Sequence, residues 1–141
     1  MDLTRRDVCA TGLAAAAVAA TGLPALATAD ATREVMMAFT GGAEPAMGGV
    51  DLGTPEIAEN GGTVPVSVGA EGATDILLLA EGNPSPGVAT FHFGPLAGAA
   101  MATTRIRLAQ TQNVIAVAKM ADGSFQMAKR EVKVTIGGCG G

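Results

Sequence analysis

The sequence predicts an all-β fold, an antiparallel β-sandwich of immunoglobulin-like architecture with a short N-terminal helix. Three observations support this prediction. Apolar residues recur at alternate positions, glycine and proline punctuate the intervening segments, and an Asp-Gly turn joins the last two alternating runs. Roughly six or seven short strands with closely spaced turns are typical of a small sandwich.

Residues 1–29 have the features of an export signal. Arg5 and Arg6 precede an alanine-rich apolar run that ends in Ala27-Thr28-Ala29. Paired arginines, an apolar run and a small-residue cleavage site are typical of a twin-arginine signal peptide. We therefore expect cleavage after Ala29 and a periplasmic location, with an ordinary secretory signal as the alternative. The run is interrupted by glycine and proline, which makes a permanent membrane span the weaker interpretation.

The expected mature chain is one small domain, residues 30–136, followed by a C-terminal arm, residues 137–141. The chain is acidic, with a formal net charge of −4, and it contains no Trp and no Tyr. Nucleic-acid-binding proteins usually present a basic surface and aromatic side chains for stacking. The composition therefore argues against nucleic acid as a partner.

The first part of the domain is predicted to begin with a helix and to continue in short strands. Residues 30–39 place three large apolar side chains on one helical face, and Gly41-Gly42 follows as a stop signal. Glycine and proline dominate residues 43–62, so we expect loops there with one short strand near 50–52. The alternating segment 64–68 is predicted to be a strand, and Pro65 favours an edge or a bulged position for it.

The second part of the domain contains the clearest strand patterns. The run 75–80 is apolar at every position after Asp75, which is typical of a strand buried on both faces. The turn 82–87 separates it from a strand predicted over 88–93. A strand over 101–108 is expected to direct Ile106 and Leu108 inward. Finally, Ala121-Asp122-Gly123 between segments 113–120 and 124–136 predicts a hairpin that leads directly into the arm.

Cys139 is the candidate functional residue. Cys9 would leave with the signal, so Cys139 is the only cysteine of the expected mature chain. Its neighbours, Gly137-Gly138 and Gly140-Gly141, predict a flexible arm because glycine loses much backbone entropy when it is ordered. In an oxidising compartment, an unpaired exposed thiol is either an intermolecular disulfide partner or a reactive group.

The remaining chemistry-bearing residues form no recognisable site. His92 is the only histidine, and a Cys–His hydrolase would need it beside Cys139 in a rigid site. We therefore interpret His92 as a strand residue near the surface. One thiol and one histidine do not make a zinc site, and Asp51, Glu56 and Glu59 lack the spacing of a calcium loop. We expect no metal and no cofactor, and we interpret the scattered methionines as packing or partner-surface residues.

Several segments together resemble the SoxY family of sulfur-carrier proteins. They are Asn60-Gly61-Gly62-Thr63-Val64-Pro65-Val66-Ser67-Val68, Ala80-Glu81-Gly82-Asn83-Pro84, Phe91-His92-Phe93-Gly94-Pro95, Thr104-Arg105-Ile106-Arg107-Leu108 and Val134-Thr135-Ile136-Gly137-Gly138-Cys139-Gly140-Gly141. The resemblance extends over essentially the whole mature chain, and the terminal Gly-Gly-Cys-Gly-Gly is its most specific part. Segment 69–75 departs from the family pattern, since it is shorter than the proline- and tyrosine-containing loop expected there.

The resemblance implies a covalent substrate carrier rather than an enzyme, with Cys139 as the attachment site. SoxAX, a c-type cytochrome pair, would conjugate thiosulfate to this cysteine oxidatively and give a cysteine S-thiosulfonate. SoxB, a dimanganese hydrolase, would release sulfate, and SoxCD, a sulfane dehydrogenase, would oxidise the sulfur that remains as a persulfide. SoxZ, a small β-sandwich protein, is the implied heterodimer partner.

Two other interpretations of the C-terminus stay open. An exported adaptor subunit would use the same cysteine only for a structural disulfide to another chain. A diglycine end, Gly140-Gly141, is also found in ubiquitin-like sulfur carriers that become thiocarboxylates. That chemistry requires ATP-dependent adenylation, and the export signal argues against it.

Overall fold

The computed structural model describes residues 24–135, which contain one helix and nine strands. The helix is α1 (Pro24–Thr40), and the strands are β1 (Ala46–Met47), β2 (Asp51–Gly53), β3 (Ile57–Ala58), β4 (Val64–Gly69), β5 (Ala73–Ala80), β6 (Gly87–His92), β7 (Met101–Ile106), β8 (Gln112–Met120) and β9 (Phe125–Val134). Within this range no helix has the length and apolar character needed to cross a bilayer.

The described strands form two sheets that pack face to face. The larger sheet has the order β1-β9-β8-β5-β6, with β3 also paired to β9, and the smaller sheet has the order β2-β4-β7. The longer strands pair antiparallel, whereas the two-residue strands β1 and β3 run parallel to β9. The predicted antiparallel β-sandwich of immunoglobulin-like architecture is confirmed.

The core lies between the sheets and is built from alternate residues of each strand. β4 contributes three valines, and β5 contributes Ile76 and Leu78, which are fully buried. The intervening residues of β5, Leu77 and Leu79, are also buried, but on the opposite face of the larger sheet. The prediction that run 75–80 is covered on both sides is therefore confirmed.

Helix α1 provides the cover on the outer face of the larger sheet. Partly buried side chains of α1 and β9 pack there against a buried apolar cluster from β5 and β8. The partly buried group is Val35, Met36, Phe39 and Met127, and the buried cluster is Leu77, Leu79, Ile115 and Val117. The predicted end of the helix is confirmed, since Gly42 N–H donates to Met37 C=O at 3.0 Å. The helix also extends further towards the N-terminus than predicted, to Pro24.

The predicted edge position of segment 64–68 is wrong. β4 is the central strand of the smaller sheet, between β2 and β7. However, β2 pairs only with Ser67, Val68 and Gly69. Pro65 therefore lies beyond the end of β2, where one side of β4 has no partner strand and a proline is tolerated.

The predicted hairpin between the last two strands is confirmed, with β8 and β9 joined by a tight turn. Met120 N–H donates to Ser124 C=O at 2.8 Å, and Gly123 adopts a φ of 88°, which favours glycine. Asp122 accepts hydrogen bonds from the Ser124 hydroxyl and N–H, and these bonds lower the pKa of the Asp122 carboxyl. The hairpin fixes the register of β9 and therefore the place where the chain leaves the sandwich.

Candidate functional site

The structure describes the root of the C-terminal arm rather than the arm itself. Cys139 and its glycine neighbours lie outside the described residues. These neighbours are Gly137, Gly138, Gly140 and Gly141. We define the arm root as Val134 and Thr135, the last described residues of the chain, together with the groups that bond to them.

One side of the arm root is held by Thr111, in the loop before β8. The Thr111 hydroxyl accepts a hydrogen bond from Val134 N–H at 2.9 Å and lies 3.4 Å from Val134 C=O, to which it donates. A single side chain therefore satisfies both main-chain groups of Val134 at the point where the ladder with β8 has ended. The Thr111 hydroxyl thus takes the place of the main-chain groups of a further β8 residue.

The other side of the arm root is held by the chain around β3. Thr135 N–H donates to Ala58 C=O at 3.1 Å. The Thr135 hydroxyl lies 3.4 Å from Ala58 C=O and 3.3 Å from Glu59 C=O, and it donates to both. Because both flanks of the root are bonded, the chain is fixed in direction up to Thr135.

A buried amide network supports the loop that carries Thr111. Gln112, only 7% exposed, donates to Asn83 Oδ1 at 2.9 Å and accepts from Gly82 N–H at 2.8 Å. Asn83 in turn donates to Arg107 C=O at 2.7 Å and accepts from Ala109 N–H at 3.0 Å. The network joins the β5–β6 turn to the loop before β8, so a buried, fully bonded cluster supports the arm root.

The outer edge of β9 is covered by two short strands with a gap between them. The β1 contact ends where Gly48 N–H donates to Met127 C=O at 3.0 Å. The β3 contact begins where Lys133 N–H donates to Glu56 C=O at 2.9 Å. Alternate residues of a strand direct their main-chain groups to the same edge. The N–H and C=O groups of Lys129 and Glu131 therefore face the gap, where no described residue bonds to them.

A cleft of about 390 Å³ lies at this gap. Its charged lining residues are Lys129, Arg130, Lys133, Glu56 and Glu131. Among the described residues, Lys129 is the only one of the three cations with an ion-pair partner within 4 Å, which is Glu81 at 3.3 Å. Arg130 and Lys133 therefore have no acidic partner within ion-pair distance among the described residues.

His92 and Asp75 form a second polar contact that sequence analysis did not find. Nδ1 of His92 contacts Oδ1 of Asp75, and Oδ2 of Asp75 accepts a hydrogen bond from the Thr74 hydroxyl at 2.9 Å. Burial acts to raise the pKa of the Asp75 carboxyl, but the bonds from His92 and Thr74, with the charges of His92 and Lys119, outweigh it and lower the pKa. Asp75 and His92 lie directly opposite each other in the pairing of β5 with β6. A pattern of alternating apolar residues does not show which residues of two strands lie opposite each other.

His92 lies too far from the arm root to assist Cys139 of the same molecule. Asp75 pairs with Lys119 of β8, and Lys119 pairs with Phe125 at the start of β9. β9 has 10 residues, so its two ends lie about 30 Å apart. Cys139 is five residues beyond Val134 and reaches at most about 18 Å from it. The two side chains therefore cannot form a Cys–His pair.

The described residues also offer no metal centre built from His, Cys, Asp or Glu. Over residues 24–135, no three His, Cys, Asp or Glu side chains are grouped closely enough to hold a metal ion. The predicted packing role is confirmed for Met36 and Met127, which pack against the sheet, whereas Met47 and Met101 are 70% exposed.

The fold and the arm root define a class of protein, a β-sandwich whose final strand presents a short cysteine-bearing tail. The family model described as sulfur oxidation protein SoxY matches residues 36–139, a range that includes Cys139. The chain therefore belongs to the SoxY family and has the role of a sulfur carrier rather than of a catalyst.

A solved structure supports the same assignment. The sulfur carrier protein SoxY from Chlorobium limicola f thiosulfatophilum is 37% identical, with a TM-score of 0.66 over 77% of this chain and 99% of that chain. No match was found among curated protein sequences.

More distant structures share the fold alone. A superoxide reductase (neelaredoxin) from Ignicoccus hospitalis is 19% identical, with a TM-score of 0.55 over 62% of this chain and 81% of that chain. A hypothetical protein from Pyrococcus horikoshii OT3 is 14% identical, with a TM-score of 0.52 over 70% of this chain and 100% of that chain. At such low identity, the likeness is one of β-sandwich architecture.

Proposed function

We propose that this protein is a periplasmic sulfur carrier that holds thiosulfate-derived sulfur covalently on Cys139. The observation that carries the proposal is the clamped arm root, which leads within a few residues to the sole cysteine of the mature chain, inside the SoxY family match. A rigid root with a glycine-flanked thiol beyond it suits delivery of that thiol to the active sites of other proteins. His92, the only histidine of the chain, lies beyond its reach.

The proposed cycle begins when the Cys139 sulfur bonds to the sulfane sulfur of thiosulfate. One proton and two electrons leave, and the electrons pass to a cytochrome acceptor of the SoxAX type. Hydrolysis by a SoxB-type enzyme then breaks the bond to the terminal sulfonate, so that water supplies the oxygen of the released sulfate and a persulfide remains on Cys139. A SoxCD-type dehydrogenase then oxidises the remaining sulfane sulfur to a sulfonate, with oxygen from water and with the electrons passing to an acceptor of that enzyme. A second hydrolysis releases this sulfonate as sulfate and restores the Cys139 thiol.

The proposal also includes export and a partner. Residues 1–29 serve as the twin-arginine signal, residues 30–136 form the carrier domain, and residues 137–141 form the arm. The α1 side chains that pack against the larger sheet include Val35, Met36 and Phe39, and all three stay in the chain after cleavage at Ala29. SoxZ is the proposed stable partner, and SoxAX, SoxB and SoxCD bind transiently.

Intact mass spectrometry of protein recovered from thiosulfate-grown cells tests this function. We expect adducts with the masses of a thiosulfonate and a persulfide, both removed by thiol reductant, on a chain that begins at Asp30. The control is a Cys139→Ser variant grown in the same way, which should carry neither adduct.

Two results would contradict the proposal. Sulfur adducts that persist unchanged in Cys139→Ser would place the chemistry elsewhere in the chain. A stable mixed disulfide at Cys139, with no sulfur adduct under any growth condition, would indicate the adaptor function instead.

A further inference from the structure

We propose that a cleft between α1 and the larger sheet binds the soft monovalent ion Cu(I) through methionine sulfurs. The cleft has a volume of about 380 Å³, and its lining includes Met36, Met37 and Met127; we call it the methionine cleft. The sequence places Met127 far from the other two residues, so the packing of α1 on the sheet is what brings the three side chains together. This proposal does not depend on the sulfur-carrier function.

The methionines of the cleft come from two elements. Met36 and Met37 are consecutive residues of α1, and Met127 belongs to β9. Met47 pairs with Met127 in the parallel contact of β1 with β9, where neighbouring strands lie about 4.8 Å apart, so a fourth thioether is next to the cleft. Because methionine is unbranched and has three rotatable side-chain bonds, these sulfurs can adjust to a bound ion.

Packing against the sheet does not explain the whole set. Met36 and Met127 contact the buried apolar cluster of the outer face, whereas Met37 is not among the described residues that pack there. Met37 nevertheless lines the methionine cleft, and it is only partly exposed. Its side chain is therefore held beside the other two without being needed to cover the sheet.

The donor atoms and the charge of the cleft favour a soft monovalent ion. Neutral thioether sulfur selects Cu(I), whereas carboxylate oxygens select ions such as Mg²⁺ and Ca²⁺. The charged residues of the lining are two cations and two acids, namely Arg33, Lys129, Glu44 and Glu81. Glu81 is already bonded to Lys129 at 3.3 Å and to the Asn113 amide at 2.9 Å. With no surplus of negative charge, the cleft suits a monovalent ion with neutral ligands.

A Cu(I) titration of the full chain in a Cys9→Ser, Cys139→Ser form tests the proposal. This form contains no cysteine, so a thiolate cannot bind the ion in place of the methionines. In anaerobic competition with bicinchoninate, we expect a single Cu(I) per chain. The affinity should be the same at about pH 6 and about pH 8, because a thioether, unlike a thiol or an imidazolium, has no proton to release on binding.

Two results of this titration would overturn the proposal. One is the absence of Cu(I) binding by the cysteine-free chain. The other is an affinity that falls towards about pH 6, which would indicate that the only histidine, His92, is the ligand.

Leucine variants locate the site. Met36→Leu with Met127→Leu should weaken Cu(I) binding by at least about tenfold, since even the loss of a group that only supports a ligand typically has this effect. Leucine keeps the volume and the apolar character of methionine, and circular dichroism checks that the variant is folded. The matched control is Met101→Leu with Met120→Leu, which makes the same change outside the cleft and should leave the affinity unchanged. Equal weakening in the two pairs would overturn the proposal.

Methyl NMR of the cysteine-free chain gives a second measurement that needs no methionine variant. Ag(I), a redox-stable substitute for Cu(I), should shift the methyl resonances of Met36, Met37 and Met127. The resonances of Met101 and Met120 should stay in place. Shifts of the same size at Met101 and Met120 would overturn the proposal, because soft ions would then bind methionines in general rather than the methionine cleft.

Discussion

The contact between His92 and Asp75 helps to lower the pKa of the carboxyl group of Asp75, a residue that sequence patterns assign only to a strand. Asp75 begins an apolar run, and His92 ends the next strand. Their side chains meet because β5 and β6 pair in a register that places them opposite each other. The contact lies far from the arm root, so its effect is expected on stability rather than on sulfur transfer.

The free energy of unfolding should depend on pH through Asp75. The pKa of its carboxyl is lowered in the folded protein, so the ionised form stabilises the fold above the unfolded pKa of about 3.9, and this contribution disappears as the pH falls through the folded pKa. Asp75→Asn should therefore cost at most about 1 kcal/mol near neutral pH, because the side chain of His92 is exposed.

Urea unfolding measured from about pH 7 down to about pH 2.5 checks this dependence. The difference between wild type and Asp75→Asn should shrink towards zero at the acidic end. Asp51→Asn, which alters an exposed acid on β2, is the control and should show a much smaller change. A difference for Asp75→Asn that is constant over the whole range would refute the pH dependence.

At the scale of elements, the end of β9 depends on a loop rather than on another strand. Thr111 replaces the missing ladder partner of Val134, and the amides of Asn83 and Gln112 hold the loop that carries it. The final strand is thus anchored as far as Thr135 by groups that are distant in sequence.

Removing this anchor should loosen the strand end without unfolding the domain. In Thr111→Val, the loss of the hydroxyl leaves Val134 N–H without its acceptor, at a cost of about 1 kcal/mol. We expect faster amide exchange at Val134, by about tenfold, while the midpoint of thermal unfolding falls by only a few degrees.

Thr111→Ser is the matched control, because it keeps the hydroxyl and should restore slow exchange at Val134. Equal acceleration across all of β9 would show that the substitution destabilises the whole sheet. In that case the role of Thr111 as a local anchor would be rejected.

At the scale of the whole molecule, the domain has two apolar layers that differ in size and position. The sandwich core lies between the sheets, and a smaller layer lies between the larger sheet and α1. The second layer exists because β5 and β8 are apolar on both faces. Helix α1 is therefore part of the folded domain.

Two N-terminal truncations test this view. A chain that begins at Asp30 should unfold at the same temperature as one that begins at Pro24, within a few degrees, because it keeps Val35, Met36 and Phe39, which pack against the larger sheet. A chain that begins at Gly41 exposes Leu77, Leu79 and their two neighbours from β8. We expect it to lose on the order of 5 kcal/mol, a large part of the stability of such a domain.

Thermal unfolding followed by circular dichroism compares the three chains. Similar midpoints for the chains that begin at Asp30 and Gly41 would contradict a structural role for α1. A large loss for the chain that begins at Asp30 would instead place essential contacts before the expected cleavage site.

The sequence by itself determined the features that depend on local chemistry. Alternation of apolar residues predicted the strands because a strand directs successive side chains to opposite faces. The Asp122-Gly123 pair predicted the hairpin because glycine tolerates its turn conformation. The flanking pairs Gly137-Gly138 and Gly140-Gly141 singled out Cys139 as the candidate residue without any tertiary information, because glycines place no side chains beside the thiol.

Only the tertiary structure decided what depends on register and on where partner strands end. Pro65 is tolerated within the central strand β4 because β2 ends before it reaches this residue. The Asp75–His92 contact follows from the pairing of β5 with β6. The gap beside Lys129 and Glu131 exists because β1 and β3 are each two residues long. Such features arise from pairings between distant segments, and a local pattern carries no record of them.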